Sequence, residues 1–90
     1  MDSHYREIME KNAGNKVVGL REVLRRMAEG KILLVVLAAD AEEHIKSRLK
    51  AACTAAAVSA VNCDSMEELG RLAGIEVPCA VVGILRETAG

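Results

Sequence analysis

An aliphatic run, Ile32–Ala38 ("ILLVVLA"), limits the possible folds of this chain more than any other feature. It contains no polar residue and shows no alternation of polar and apolar positions. A strand with that pattern is covered on both faces, because a strand with one solvated face alternates. The run therefore predicts a sheet between two layers of helices. A chain of 90 residues can build one such core, so we expect residues 1–90 to form a single domain.

Helix-like and strand-like segments alternate on either side of that run. The helical spacings of apolar residues predict helices over 4–12, 20–29, 41–56 and 66–73, and further strands are predicted over 16–18, 58–63 and 79–85. Asp40 with Glu43, and Ser65 with Glu68, have the spacing of capping boxes at helix starts. We expect the helix within residues 1–14 to be short and frayed. The order predicts an α/β fold, a three-layer α/β/α sandwich with a mixed central sheet.

The composition argues against membrane, metal and enzyme classes. The longest apolar run, 32–39, is far shorter than the roughly 20 residues of a membrane span, and no signal-peptide pattern precedes it, so we expect a cytoplasmic protein. Cys53, Cys63 and Cys79 lack the spacing of a disulfide framework or zinc site, so we expect buried thiols and no metal or other cofactor. No nucleophile and base pattern is present; an enzyme using Cys63 or Cys79 is a weaker alternative.

Positive charge is concentrated in one part of a chain whose formal net charge is −1. Residues 16–31 carry five basic residues against two acidic ones, whereas residues 61–90 carry two basic residues against five acidic ones. The net charge argues against a broadly basic nucleic-acid surface, and the local excess of basic residues predicts an anionic partner near the first of these segments.

Gly19 comes directly before the arginine-rich helix in that basic segment. A glycine there removes the Cβ that would hold a ligand away, and the first-turn amides of a helix favour anions. Arg21 and Arg25 share one helix face with Glu22, and an arginine fork and a carboxylate can together read the edge of a base. The alternative is a solvated face on which Glu22 pairs with Arg25 or Arg26.

The segment "GIEVPCA", residues 74–80, is the second candidate site because it places two apolar residues, Ile75 and Val77, where a surface loop is expected. Ile75 and Val77 would form a rigid ledge, fixed by Pro78, on which an unstacked base could lie. The alternative is a loop whose apolar side chains tuck under the edge of the sheet.

Three segments together resemble the ribosomal protein L-seven-Ae family, in particular its small bacterial members. They are the glycine-led helix "GLREVLR", the strand "KILLVVLAAD" and the block "SMEELGRLAGIEVPCAVVGIL", and the resemblance extends from Lys16 to Leu85. It implies an α/β/α sandwich that binds the kink-turn, a sharply bent RNA element built on tandem sheared G·A pairs. The sequence departs from the family at Arg21, where many members have Asn, and at Pro78, where a small residue is usual.

The resemblance also implies which residues bind RNA. Gly19 would allow close approach, and Arg21, Glu22 and Arg25 would face guanines. The 75–79 loop would hold an extruded nucleotide through Ile75, Glu76 and Val77, and Lys16 would contact a phosphate. The full implied set is Lys16, Gly19, Leu20, Arg21, Glu22, Arg25, Ile75, Glu76, Val77 and Pro78. The partner would be ribosomal, messenger or small RNA, on or off the ribosome, and the protein a monomer without enzyme activity. The alternative function is a protein interaction module in which residues 75–78 dock on protein.

Overall fold

The structure, a computed structural model, describes residues 4–86. These residues form four helices and one four-stranded sheet. In chain order the elements are α1 (His4–Lys11), β1 (Lys16–Val18), α2 (Leu20–Ala28), β2 (Ile32–Ala38), α3 (Glu43–Ala56), β3 (Ser59–Cys63), α4 (Met66–Leu72) and β4 (Val81–Leu85).

The sheet is mixed and has the strand order β1-β4-β2-β3. β2 and β3 are parallel, and β4 is antiparallel to both of its neighbours, β1 and β2. β1, β2 and β3 therefore end at the same edge of the sheet, and β4 begins there. We call this the upper edge. Because α2, α3 and α4 each follow one of those three strands, all three helices begin near the upper edge.

Two separate hydrophobic clusters lie on the two faces of the sheet. Val36 and Ala38 of β2 point toward the cluster that contains residues of α1 and α4, whereas Val35 and Leu37 point toward the cluster that contains residues of α2 and α3. The four side chains are at most 2 % exposed. The predicted α/β/α sandwich with a mixed central sheet is confirmed, because the aliphatic run is covered by helices on both sides.

Two predicted features differ in the structure. Leu33 is 49 % exposed, because the pairing of β2 with β4 shifts register between Ile32 and Leu34. α1 is packed and not frayed: Tyr5 and Met9 are each only 2 % exposed and belong to the cluster beneath α4. Two apolar residues one turn apart are thus enough to bury one face of this helix.

The capping box predicted for Asp40 and Glu43 is wrong. α3 begins at Glu43, and its N-cap residue, Glu42, makes no capping hydrogen bond through its side chain. Asp40 Oδ1 instead accepts from the backbone N–H of Met66, at 2.7 Å, and so caps α4. Ser65 does cap α4 as predicted, with its hydroxyl accepting from the Glu68 N–H at 3.1 Å. Two side chains thus satisfy first-turn amides of α4.

We expect Asp40→Ala to lower the free energy of unfolding by about 1 kcal/mol, because one amide at the start of α4 loses its acceptor. Urea unfolding followed by circular dichroism measures this loss. Glu43→Ala serves as the matched control, since Glu43 caps no helix, and its effect should be clearly smaller. A larger loss for Glu43→Ala than for Asp40→Ala would contradict the assignment.

Tyr5 joins α1 to the start of α4. Its hydroxyl donates to Glu68 Oε2 at 2.6 Å and lies 3.2 Å from Asp64 Oδ2, while Arg6 Nη2 lies 2.7 Å from Glu68 Oε1. The hydrogen bond to Glu68, aided by burial, raises the pKa of Tyr5 from 10.0 to about 12. The same hydrogen bond lowers the pKa of Glu68. Glu68 therefore reaches across to α1 and does not complete the predicted capping box with Ser65.

The raised pKa of Tyr5 gives the protein a pH-dependent term in alkaline solution. The folded state favours the protonated hydroxyl, so the stabilisation is complete below pH 10.0 and is lost as the pH rises to about 12. We expect the difference in unfolding free energy between the native protein and Tyr5→Phe to shrink across that interval. Urea titrations of both proteins at several pH values test this. A difference that stays constant up to pH 12 would contradict the role of Tyr5.

Candidate functional site

α2 starts from an open glycine at the upper edge. Gly19 has φ +95°, a conformation that favours glycine, and no atom lies within 4 Å of the position that a Cβ would take. Gly19 is the N-cap residue of α2 and supplies no side-chain acceptor to the first turn. The first-turn amides of α2 therefore have no side-chain cap from Gly19, and such uncapped amides favour an anion.

β4 holds α2 in that position. The Gly19 N–H donates to the carbonyl of Val81, the first residue of β4, at 3.0 Å. Gly83 has no side chain, and Val23 of α2 and Ile32 of β2 occupy the space beside it. α2 consequently lies close against the middle of β4, with Val23 fully buried.

The charged face of α2 contains one acidic residue and three arginines. Glu22 Oε1 lies 3.1 Å from Arg25 Nη2 and 3.8 Å from Arg26 Nε. The predicted alternative, in which Glu22 pairs with Arg25 or Arg26, is thus present with both partners. Glu22 and Arg25 are solvated, whereas Arg26 is half-buried and its Nε is shielded from solvent. Exposed pairs contribute little to stability, so Glu22 and Arg25 remain available to a ligand. Arg21 is exposed and has no charged partner among residues 4–86.

Residues 75–78 return along α4 toward the upper edge. Ile75 N–H donates to the Gly70 carbonyl at 3.0 Å, and Cys79 N–H donates to the Met66 carbonyl at 2.9 Å. Ile75 is partly buried against the cluster beneath α4, whereas Val77 is 63 % exposed. Each of the two interpretations of this loop therefore describes one side chain. Ile75 packs against the hydrophobic cluster, and Val77 forms an exposed ledge. Glu76 and Pro78 are exposed beside Val77.

A shallow groove of about 220 Å³ separates this segment from α4. Its walls are residues 75–78 on one side and the side chains of Glu67 and Arg71 on the other. These two side chains form an exposed pair at 3.5 Å. The groove combines an apolar ledge with one arginine and two glutamates, so it suits a flat group that carries both hydrogen-bond donors and acceptors.

The start of α2 and the end of the loop lie next to each other. The Gly19 N–H binds Val81, which is only three residues beyond Pro78. Between them, the buried thiol of Cys79 donates to the Val81 carbonyl at 3.1 Å. The two predicted candidate segments therefore form one surface at the upper edge.

Lys16 does not lie on that surface. It begins β1, pairs with Ile84 near the end of β4, and is three residues from Gly19, about 10 Å along an extended strand. Its amine donates to the carbonyl of Ala13. The structure thus brings together nine of the ten predicted site residues and places Lys16 toward the opposite edge of the sheet.

The cysteines have no feature of a catalytic thiol. Cys53, Cys63 and Cys79 are buried and free, as predicted. Burial raises the pKa of each thiol, which disfavours the reactive thiolate at neutral pH. Among residues 4–86 no group of three or more metal-ligating side chains is placed to hold an ion, and no described helix is long and apolar enough to cross a membrane.

Sequence reasoning missed two residues that shape or extend this surface. Gly70 allows the loop to pack on α4, because a Cβ there would overlap the carbonyl oxygen of Val77. A glycine inside a helical pattern often has a packing reason, and this signal could have identified Gly70 from the sequence. Arg48 of α3 lies beside Arg21, and nothing in the local pattern of α3 distinguishes it from the other basic residues of that helix.

Comparison with known proteins places the fold and the sequence in one group. The sequence matches the Ribosomal protein L7Ae/L30e/S12e/Gadd45 family over residues 3–89. An RNA-binding protein of Caldanaerobacter subterraneus subsp. tengcongensis is 40 % identical over 65 residues, which are 72 % of this chain and 79 % of that protein. An RNA-binding protein of Geobacillus sp. is 37 % identical over 82 residues, 91 % of this chain and 98 % of that protein.

A solved structure agrees with these relatives. The Giardia lamblia 15.5kD RNA binding protein superimposes with a TM-score of 0.84 at 31 % identity, over 94 % of this chain and 73 % of that chain. The family match covers residues 3–89, so it includes every helix and strand that the structure describes. This chain belongs to the Ribosomal protein L7Ae/L30e/S12e/Gadd45 family.

Proposed function

We propose that this protein binds RNA at the upper edge, through the start of α2 and residues 75–78. Relatives that are 40 % identical over 65 aligned residues and 37 % identical over 82 are named RNA-binding proteins, which supports the proposal. The observation that carries it is the hydrogen bond from Gly19 to Val81. This hydrogen bond keeps the start of α2, with its uncapped amides and arginines, next to the apolar ledge of residues 75–78. One bent nucleic acid could therefore contact both segments.

The RNA proposed here is a kink-turn, because the reading residues need an opened major groove. The major groove of ordinary A-form RNA is too narrow for side chains to read, whereas a sharp bend widens it. Arg21 and Arg25 lie one turn apart on α2, with Glu22 beside them. The arginine forks would bind guanine edges and the carboxylate would accept from a base N–H. Leu20, in the first turn, would contact a sugar or base face.

The loop would hold a nucleotide that the bend extrudes. Val77 offers an exposed apolar surface, and Pro78 fixes the backbone that carries it. The groove behind Val77 also contains Arg71 and Glu76, which can bind the polar edge of a base. Stacking on such a ledge tolerates any base, so this part would add affinity more than sequence selectivity.

The wider setting belongs to the same proposal. A structured RNA, whether ribosomal, messenger or small RNA, would be the partner of a monomeric cytoplasmic protein that acts on or near the ribosome and catalyses no reaction. Affinity would come from a few directed contacts, since the net charge is only −1. We therefore expect a shallow dependence of affinity on salt concentration.

Equilibrium binding to a short labelled kink-turn RNA tests the proposal. The control RNA has the same stems, with the sheared G·A pairs replaced by Watson–Crick pairs, and both are measured at physiological salt. Tight binding to the first RNA alone is the expected result. Equal, weak binding to both RNAs would contradict kink-turn recognition and would favour a protein partner for residues 75–78.

A further inference from the structure

A second groove lies between α2 and α3, next to the proposed RNA surface. It has a volume of about 470 Å³ and is lined by Leu20, Arg21, Leu24 and Arg48. Leu20 and Leu24 are one turn apart on α2 and form an apolar floor. Arg21 and Arg48 come from different helices, and both line the groove. The arrangement is a narrow site with positive charge contributed by two elements.

The charges of this groove are not balanced within the described chain. Glu22, the acidic residue closest in sequence to Arg21, is engaged by Arg25 and Arg26. His44 lies one turn before Arg48 on α3, and the carboxylate of Glu42 is 3.2 Å from the His44 ring. Glu42 is therefore placed beside His44. Among residues 4–86, neither Arg21 nor Arg48 has an ion-pair or hydrogen-bond partner. Two cationic side chains that line one cavity favour an anion there.

We propose that Arg48 is a further RNA-binding residue, which together with Arg21 holds a backbone phosphate of the RNA in the groove between α2 and α3. This inference rests on the proposed function and extends its surface from α2 onto α3. A phosphate matches the planar donor fork of arginine, and a ribose matches the apolar floor of Leu20 and Leu24. Arg21 also belongs to the reading face, and the donors on the two edges of its guanidinium allow it to bind a guanine edge and this phosphate together. The strand leaving the kink would therefore enter the groove directly.

A phosphate contact has a signature that base reading lacks. It weakens binding to all sequences alike and contributes about one unit to the slope of log affinity against log salt concentration. With few phosphates neutralised in total, the loss of one unit is readily measured. A base contact would instead change the preference among RNA sequences.

The test compares the native protein with Arg48→Gln and with Lys50→Gln, a matched control. Lys50 lies on the same helix but lines a different cavity, with Asn62 of β3. Binding is measured over a range of salt for two kink-turn RNAs whose stems differ in sequence. We expect Arg48→Gln to bind both RNAs about three- to fivefold more weakly, as for other exposed ion pairs, with a slope lower by about one. Lys50→Gln should match the native protein.

Three results would overturn the inference. Arg48→Gln could keep the native affinity and slope, Lys50→Gln could lose as much as Arg48→Gln, or polyglutamate could displace the RNA from the native protein as readily as a phosphate-bearing competitor. The last result would assign the groove to an acidic protein. Failure of the proposed function looks different, because the native protein would then bind kink-turn and control RNA equally, whatever Arg48→Gln does.

Discussion

Gly70→Ala is expected to lower the free energy of unfolding by about 3 kcal/mol, near the upper end of overpacking penalties. The added Cβ would overlap the Val77 carbonyl oxygen and lie 3.1 Å from the Val77 carbonyl carbon. Both atoms belong to the backbone, so no side-chain rotation relieves the overlap. Alanine is favoured over glycine within a helix by about 1 kcal/mol, and that gain offsets only part of the penalty.

Urea unfolding of Gly70→Ala and Gly14→Ala measures this effect against a matched control. Gly14 has open space where its Cβ would lie, and its φ is not in the left-handed region, so Gly14→Ala should be neutral or slightly stabilising. The folded fraction of Gly70→Ala should also bind kink-turn RNA more weakly, since residues 75–78 must move. Native stability in Gly70→Ala would show that the loop is not held against α4.

The elements that sequence reasoning predicted well are those with a local cause. The aliphatic run 32–38 had to become a central strand, and Gly30 and Gly74, which both have positive φ, end the helices before them. Ser65 caps α4 because its partner is three residues away. In each case the residues that decide the structure are neighbours in the chain.

The errors arose where the deciding partner is distant in sequence. Asp40 has the spacing of a capping residue for α3, yet it caps α4, because β2 and β3 are adjacent and parallel and end side by side. Tyr5 packs in the core, and the acceptor of its hydroxyl there is Glu68, 63 residues later. Local periodicity cannot predict such pairings, which depend on how the layers assemble.

The residues of the candidate site also differ in whether they can be identified from local sequence or only from the assembled fold. Gly19 and the arginines of α2 could be identified from the chain because a glycine before a charged helix has a direct physical meaning. Lys16 was assigned by resemblance alone, and it lies at the far end of β1. Arg48 could not be found at all, since its relation to Arg21 exists only after α3 packs beside α2.

Arg25 provides the sharpest test of base reading on α2. Its guanidinium is exposed and lies 3.1 Å from Glu22 in an i, i+3 pair. An exposed pair contributes at most about 1 kcal/mol, so breaking it to contact a base is easily offset by a bidentate hydrogen bond to guanine. The pair also holds the side chain on the face that carries Arg21.

We expect Arg25→Ala to weaken binding to kink-turn RNA by about 1–3 kcal/mol and to change binding to a plain duplex little, because only the kink exposes a guanine edge that Arg25 can reach. Equilibrium titration of both RNAs measures the difference, with Lys31→Ala as the control. Lys31 lies in the same basic segment but precedes β2, at the opposite edge of the sheet from Gly19, and forms an exposed pair with Glu29 at 3.5 Å. If Arg25→Ala weakens both RNAs equally, Arg25 contacts phosphate, and sequence reading must rest on Arg21 and Glu22.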